Sequence, residues 1–169
     1  MLTFAILAGL GALVYFWNYI VDFFQTVIIP WFRDVFGDIA ANILASVVSF
    51  CDKVISWTRQ QIKRAWKWFH ERVLGMKTEY KKVSSTQVEG KTTTYTSTQD
   101  GKVIRTIKTE QLEWEDVPAN IREQYIANNR KSFTVDDKNV LEGKFIEQVK
   151  DSENMSDQQV ADLLEIQIA

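Results

Sequence analysis

The sequence predicts a membrane-attached α-helical N-terminal region followed by a small cytoplasmic α+β domain. Three observations carry this reading. From Leu2 to Val21 no side chain is charged, and Asp22 is the only charge before Arg33. Five of the six Trp and eight of the ten Phe precede Lys77, so the apolar and aromatic weight lies in the first half. Beyond Lys77 the chain becomes rich in Thr, Ser, Lys and Glu, with β-branched runs separated by turn dipeptides.

The first element is a helix expected over Phe4 to Ile29, long enough for a hydrocarbon core of about 30 Å. No basic residue precedes it and the apolar run exceeds a usual signal core, so retention as an anchor is expected. Gly11, Tyr15, Asn18, Asp22 and Gln25 fall at helical spacing on one stripe. Small residues crowd the same end, which lets helices approach closely in lipid. Two readings of the stripe stay open. In one, Asp22 sits at headgroup level with Phe16, Trp17 and Tyr19 as an aromatic belt. In the other, the stripe packs against copies of itself or lines an aqueous path.

Pro30 is expected to end or kink that helix, and Gly37 to break the aromatic stretch that follows. Asp38 to Trp57 reads as an amphipathic helix whose polar stripe is Asp38, Asn42, Ser46, Ser49 and Lys53. The apolar run between Asp38 and Asp52 measures about 20 Å as helix, short of a bilayer core. An interfacial or oligomer-packing segment is preferred over the second arm of a spanning helical hairpin.

Thr58 to Leu74 interleaves Arg59, Lys63, Arg64, Lys67 and Arg72 with Trp66 and Trp68. Basic charge with tryptophan on one helix suits the surface of an anionic leaflet. No base-reading spacing accompanies it, so nucleic acid is not an expected partner. The positive-inside rule places residues 58–169, this cluster included, in the cytoplasm.

From Lys77 a three-stranded antiparallel meander is expected, with strands Thr78 to Gln87, Lys91 to Thr98 and Lys102 to Glu113. Glu89-Gly90 and Asp100-Gly101 are its expected turns. A helix should run from Asp116 and Pro118 to about Asn129, and Ser132 to Asp137 should be a loop. A helix over Asp137 to Lys150 follows, then a last one opened by the capping-box pair Ser156 and Gln159. The expected divisions are an anchor with its aromatic stretch over 1–37, membrane-surface helices over 38–76, and the α+β domain over 77–169.

The net charge of −2 conceals basic character beside the apolar segment and acidic character at the far end. One cysteine, Cys51, and one histidine, His70, exclude a disulfide framework and a multi-histidine metal site within one chain. No phosphate loop or dinucleotide fingerprint is present, and neither a cofactor nor a catalytic residue is expected. Arg64 and His70 stand in the stretch RAWKWFH, which resembles the active-site element of HEPN ribonucleases. Those enzymes carry a polar residue where this chain has Ala65, and His70 is read as an interfacial residue of the basic helix. The function expected is a membrane-anchored, self-associating scaffold presenting its cytoplasmic domain to a protein partner. The alternative is an oligomeric pore or membrane-permeabilising protein of the channel, holin or effector kind. The bilayer and further copies of the chain are the expected partners.

Overall fold

A computed structural model describes residues 17–53, 55–117, 122–123, 125–126 and 132–166. The chain forms helices, then an antiparallel sheet, then C-terminal helices, which is an α+β architecture. It divides into two compact units. One is Met1–Glu71 with Asn139–Ala169; the other is Arg72–Lys138.

The helical unit opens with α1 (Trp17–Phe23), a π-helical turn (Phe24–Ile28) and α2 (Ile29–Phe36). Of the two outcomes expected at Pro30, an end or a kink, the helix does not end there. Pro30 occupies the start of α2, and the widened turn before it lets the Ile29 amide reach back to the Phe24 carbonyl. Proline has no amide hydrogen to give and its ring crowds the carbonyl four residues earlier. A π turn immediately upstream relieves that crowding without breaking the helical path. The break falls at Gly37, whose φ of 91° closes α2 while its amide donates to the Arg33 carbonyl at 2.9 Å.

Helix α3 (Asp38–Asp52) buries Ala41, Leu44, Val47, Val48, Phe50 and Cys51 along one face. Helix α4 (Arg59–Arg72) starts from a capping box. The Thr58 amide donates to Gln61 Oε1 at 2.9 Å, and the Gln61 amide donates to Thr58 Oγ1 at 3.2 Å. Helices α5 (Asp137–Ser152) and α6 (Asp157–Leu164) complete the unit. Ser156 and Gln159 form the expected box at the start of α6. These last helices are core elements of the helical unit. Phe145 on α5 packs on Phe50 at 4.7 Å between ring centroids and on Trp66 at 5.7 Å, and Phe50 stacks on Trp57 at 4.4 Å.

The sheet unit contains β1 (Val73–Lys82), β2 (Gln87–Ser97), β3 (Val103–Glu113) and β4 (Ser132–Asp136), in the order β3-β2-β1-β4. It has four strands rather than three, because the stretch expected as a loop pairs with β1 from Lys77↔Asp136 to Lys81↔Ser132. Val135 alternates inward there, and five residues of S-F-T-V-D suffice for an edge strand. β1 begins at Val73, five residues before the expected start, directly after α4.

The Asp100-Gly101 turn is present, with Gly101 at φ 83° and its amide donating to the Thr98 carbonyl at 3.1 Å. The Glu89-Gly90 turn is not. The β1–β2 connection instead lies at 83–86, where Ser84 Oγ accepts from the Thr86 and Gln87 amides. Gly90 is inside β2, facing Tyr80, whose ring would stand 3.8 Å from an added Cβ. Gly90 is paired with Tyr80 inside the ladder, and a Cβ there would meet its neighbours only at ordinary van der Waals distance. Of the helix expected near Pro118 to Asn129, most residues lie outside the described ones. Tyr125 is buried and its hydroxyl donates to the Tyr80 carbonyl at 2.6 Å.

No helix among the described residues is long and apolar enough to cross a membrane. Residues 4–16 of the expected spanning helix lie outside the described residues.

Candidate functional site

The first expected stripe is only partly described. Gly11 and Tyr15 lie outside the described residues. Asn18, Asp22 and Gln25 share one exposed face, while Trp17, Ile20, Val21, Phe23, Phe24 and Ile28 are buried. The spacing of apolar and polar side chains produces that division, since positions three and four apart stack on one side of a helix.

The second stripe leads to a concavity between α3 and α4. Helix α3 presents Ile39, Asn42, Ile43 and Ser46 to a groove of about 670 Å³, and α4 presents Gln61, Arg64 and Trp68 to it, with Trp57 at one end. Ile39 is 79% exposed, a large apolar side chain left in the open. Asn42 is already engaged, its Oδ1 accepting from Arg33 Nη2 at 3.2 Å, and Arg33 also pairs with Asp38 at 3.2 Å. The Ser46 hydroxyl donates to the Asn42 carbonyl at 2.8 Å. Arg64 is exposed and has no ion-pair partner among the described residues. Apolar walls with one guanidinium suit an elongated apolar group with an anionic end. Asp38 and Lys53 are exposed, and Ser49 is half-buried and does not line the groove.

The basic helix is divided by its neighbours. Arg59 pairs with Glu153 at 3.5 Å and Lys63 with Glu165 at 2.7 Å. The Lys63 ammonium holds the Glu165 carboxyl below its ordinary value, chiefly through that hydrogen bond. Lys67 is exposed and adds a weaker attraction to the same carboxylate. Arg72 is half-buried where α4 ends. Trp66 is a core residue, 3% exposed, and Trp68 is half-buried along the groove. The exposed cations of α4 with no ion-pair partner among the described residues are thus Arg64 and Lys67. A helical wheel of α4 does not reveal this, because the acidic partners come from the C-terminal helices.

Arg64 and His70 serve different places. His70 Nδ1 lies 2.9 Å from Oε1 of the buried Glu142, and the His70 ring stacks on Trp66 at 5.3 Å. The pair spans 72 positions in the chain, so no local motif announces it. Cys51 is buried and its thiol donates to the Leu141 carbonyl at 3.5 Å; burial pushes the thiol well above its ordinary value, which suppresses the reactive thiolate. In the sheet unit, Asp137 is buried and accepts from the Thr78 hydroxyl at 2.5 Å, and Thr78 also meets Thr92 at 2.9 Å. Burial pushes the Asp137 carboxyl up to about 8, with the Thr78 hydrogen bond opposing and Asp136 adding to the rise. Among the described residues no group of three His, Cys, Asp or Glu side chains is placed to hold a metal ion. No protein-family model, curated protein or solved structure matches the chain.

Proposed function

We propose that this chain is a membrane-anchored, self-associating scaffold whose anchor is the apolar N-terminal segment and whose α+β part is offered to a cytoplasmic partner. The observation that carries the reading is the absence of any charged side chain from Leu2 to Val21. Such a run is stable in hydrocarbon and costly in water. The exposed cations Arg64 and Lys67 and the apolar groove beside Arg64 support contact with an anionic leaflet.

The test is flotation of the purified full chain with vesicles of mixed zwitterionic and anionic phospholipid. The chain is expected to float with the vesicles and to resist extraction by alkaline carbonate. A chain that stays in the dense fractions without detergent removes the anchor.

The exposed face of Asn18, Asp22 and Gln25 favours one further reading, an oligomer in which that face lines an aqueous path. Dye-loaded vesicles separate the two. Leak that disappears with Asp22→Leu supports the path, and vesicles that stay sealed support the scaffold.

A further inference from the structure

β3 is an edge strand of eleven residues with no fully buried side chain, and Val103, Ile104 and Ile107 are 58%, 41% and 47% exposed. Its inner side is committed to β2 in an unbroken register from Gln87↔Glu113 to Ser97↔Val103. That register continues past both ends of β3. The Thr98 amide donates to the Lys102 carbonyl, and the Trp114 amide donates to the Thr86 carbonyl. Hydrogen-bonded pairs alternate along an antiparallel ladder. The even-numbered residues of β3 therefore bond to β2, and the odd-numbered ones turn their amides and carbonyls outward. No strand among the described residues takes those groups.

A long unpaired edge is a template for another strand, and natural edges are often blunted by charge. Here the charges do something different. Taken about Thr109, they are equal in distance and opposite in sign: Lys108 against Glu110, and Arg105 against Glu113. We propose that β3 pairs antiparallel with β3 of a second copy, with Thr109 on the two-fold axis, joining two sheets into one of eight strands. Lys108 pairs with Glu110 of its own strand at 3.1 Å and Glu113 accepts from Gln87 at 3.1 Å; in this register Lys108 also faces the second copy's Glu110 and Arg105 faces its Glu113, each twice by symmetry. Thr109 meets its own counterpart, and Ile107 covers Gln111.

The neighbouring registers do worse. Only shifts that keep like faces together are allowed, because a slip that exchanges faces would turn every side chain over. Centring on Lys108 sets two ammonium groups against each other, and centring on Glu110 does the same with two carboxylates. Centring on Ile107 makes no opposite-charge pair. Cross-strand charges directly opposite one another are decisive neighbours on a sheet, so the sequence selects one register.

This surface belongs to the sheet unit and does not depend on lipid, so it goes beyond self-association through the first helix. The test uses the full chain in mild detergent, oxidised with copper-phenanthroline. Cys51 stays, because it is buried. Thr109→Cys is expected to give a covalent dimer, whereas Ile107→Cys and Gln111→Cys alone give none. Mixing those two variants is expected to produce the mixed dimer, since the register sets 107 opposite 111. Arg105→Glu and Glu113→Arg should each lower the cross-linking yield of Thr109→Cys about tenfold, and their combination should restore it. No dimer at 109, or equal cross-linking at 107 and 109, overturns the proposal. So does a failure of the double reversal to rescue. Oligomers that persist in detergent without any cross-link at 109 would place association in the first helix instead. Loss of vesicle flotation with the cross-link intact would remove the membrane reading and leave this one standing.

Discussion

Asp137 begins α5 with its carboxyl out of solvent, accepting a hydrogen bond from the Thr78 hydroxyl. Its folded value is pushed from 3.8 to about 8, so between those limits the folded chain holds a proton that the unfolded chain has released. Stability therefore falls as pH rises through that window. Asp137→Asn keeps an acceptor for Thr78 and removes the titration. The variant is expected to match the wild type in urea midpoint near pH 3.5 and to exceed it at pH 8. An unchanged difference across that range would mean that Asp137 ionises normally. Gly37 is a second residue with a defined role. Its φ of 91° suits glycine alone, and nothing lies within 4 Å of an added Cβ. Gly37→Ala should thus cost only the backbone strain, about 1 kcal/mol, read as a lower denaturation midpoint. Only the role of Gly37 was legible beforehand. Gly37 reads as a breaker because it interrupts an aromatic run, whereas nothing local brings Thr78 to Asp137 across 59 positions.

At the scale of elements, Phe145 shows how a helix is chosen by its partners. Its ring meets Phe50 on α3 and Trp66 on α4. Phe145→Ala should cost about 3–5 kcal/mol, the usual range for removing a buried ring, and weaken the near-ultraviolet dichroism of the tryptophans. Retention of both signals would mean that α5 is dispensable to the helical core. The existence of α5 and its inward face were legible from apolar spacing, and so was the cap of α6 from Ser156 and Gln159. The partners were not, because periodicity tells which side of a helix is covered and not by what. The Thr58 and Gln61 box at the start of α4 has the same form as that of α6 but was not expected from the sequence. The Glu89-Gly90 turn misled for a physical reason: a glycine does not by itself force a reversal, and the β1–β2 ladder carries Gly90 inside β2 opposite Tyr80. Ser132–Asp136 is too short to stand out as a strand, and becomes one only because β1 offers it an edge.

At the scale of the whole molecule, the surface charge of the helical unit bears on where the chain resides. Arg59 and Lys63 are paired with carboxylates, so a change of Lys63, Arg64 and Lys67 together to Gln mainly removes the unpaired charges of Arg64 and Lys67. The triple variant should bind anionic vesicles more weakly, and its remaining binding should depend less on salt, because screening acts chiefly on exposed charges. Identical salt curves for variant and wild type, measured by flotation, would end the surface role given to α4. The candidate groove was partly legible: Asn42 and Ser46 were recognised as one stripe. That Arg64 and Trp68 would stand across from them follows from packing, which one helix's pattern does not encode.

The helical unit takes residues from both ends of the chain, with Arg72–Lys138 inserted between them. This arrangement imposes an order on synthesis. All four strands leave the ribosome before Phe145, Val149 and Leu164, while the aromatic faces of α3 and α4 have been out for much longer. Until the final helices arrive those faces are open to any other greasy surface, and a nascent chain halted after Lys138 would keep them so.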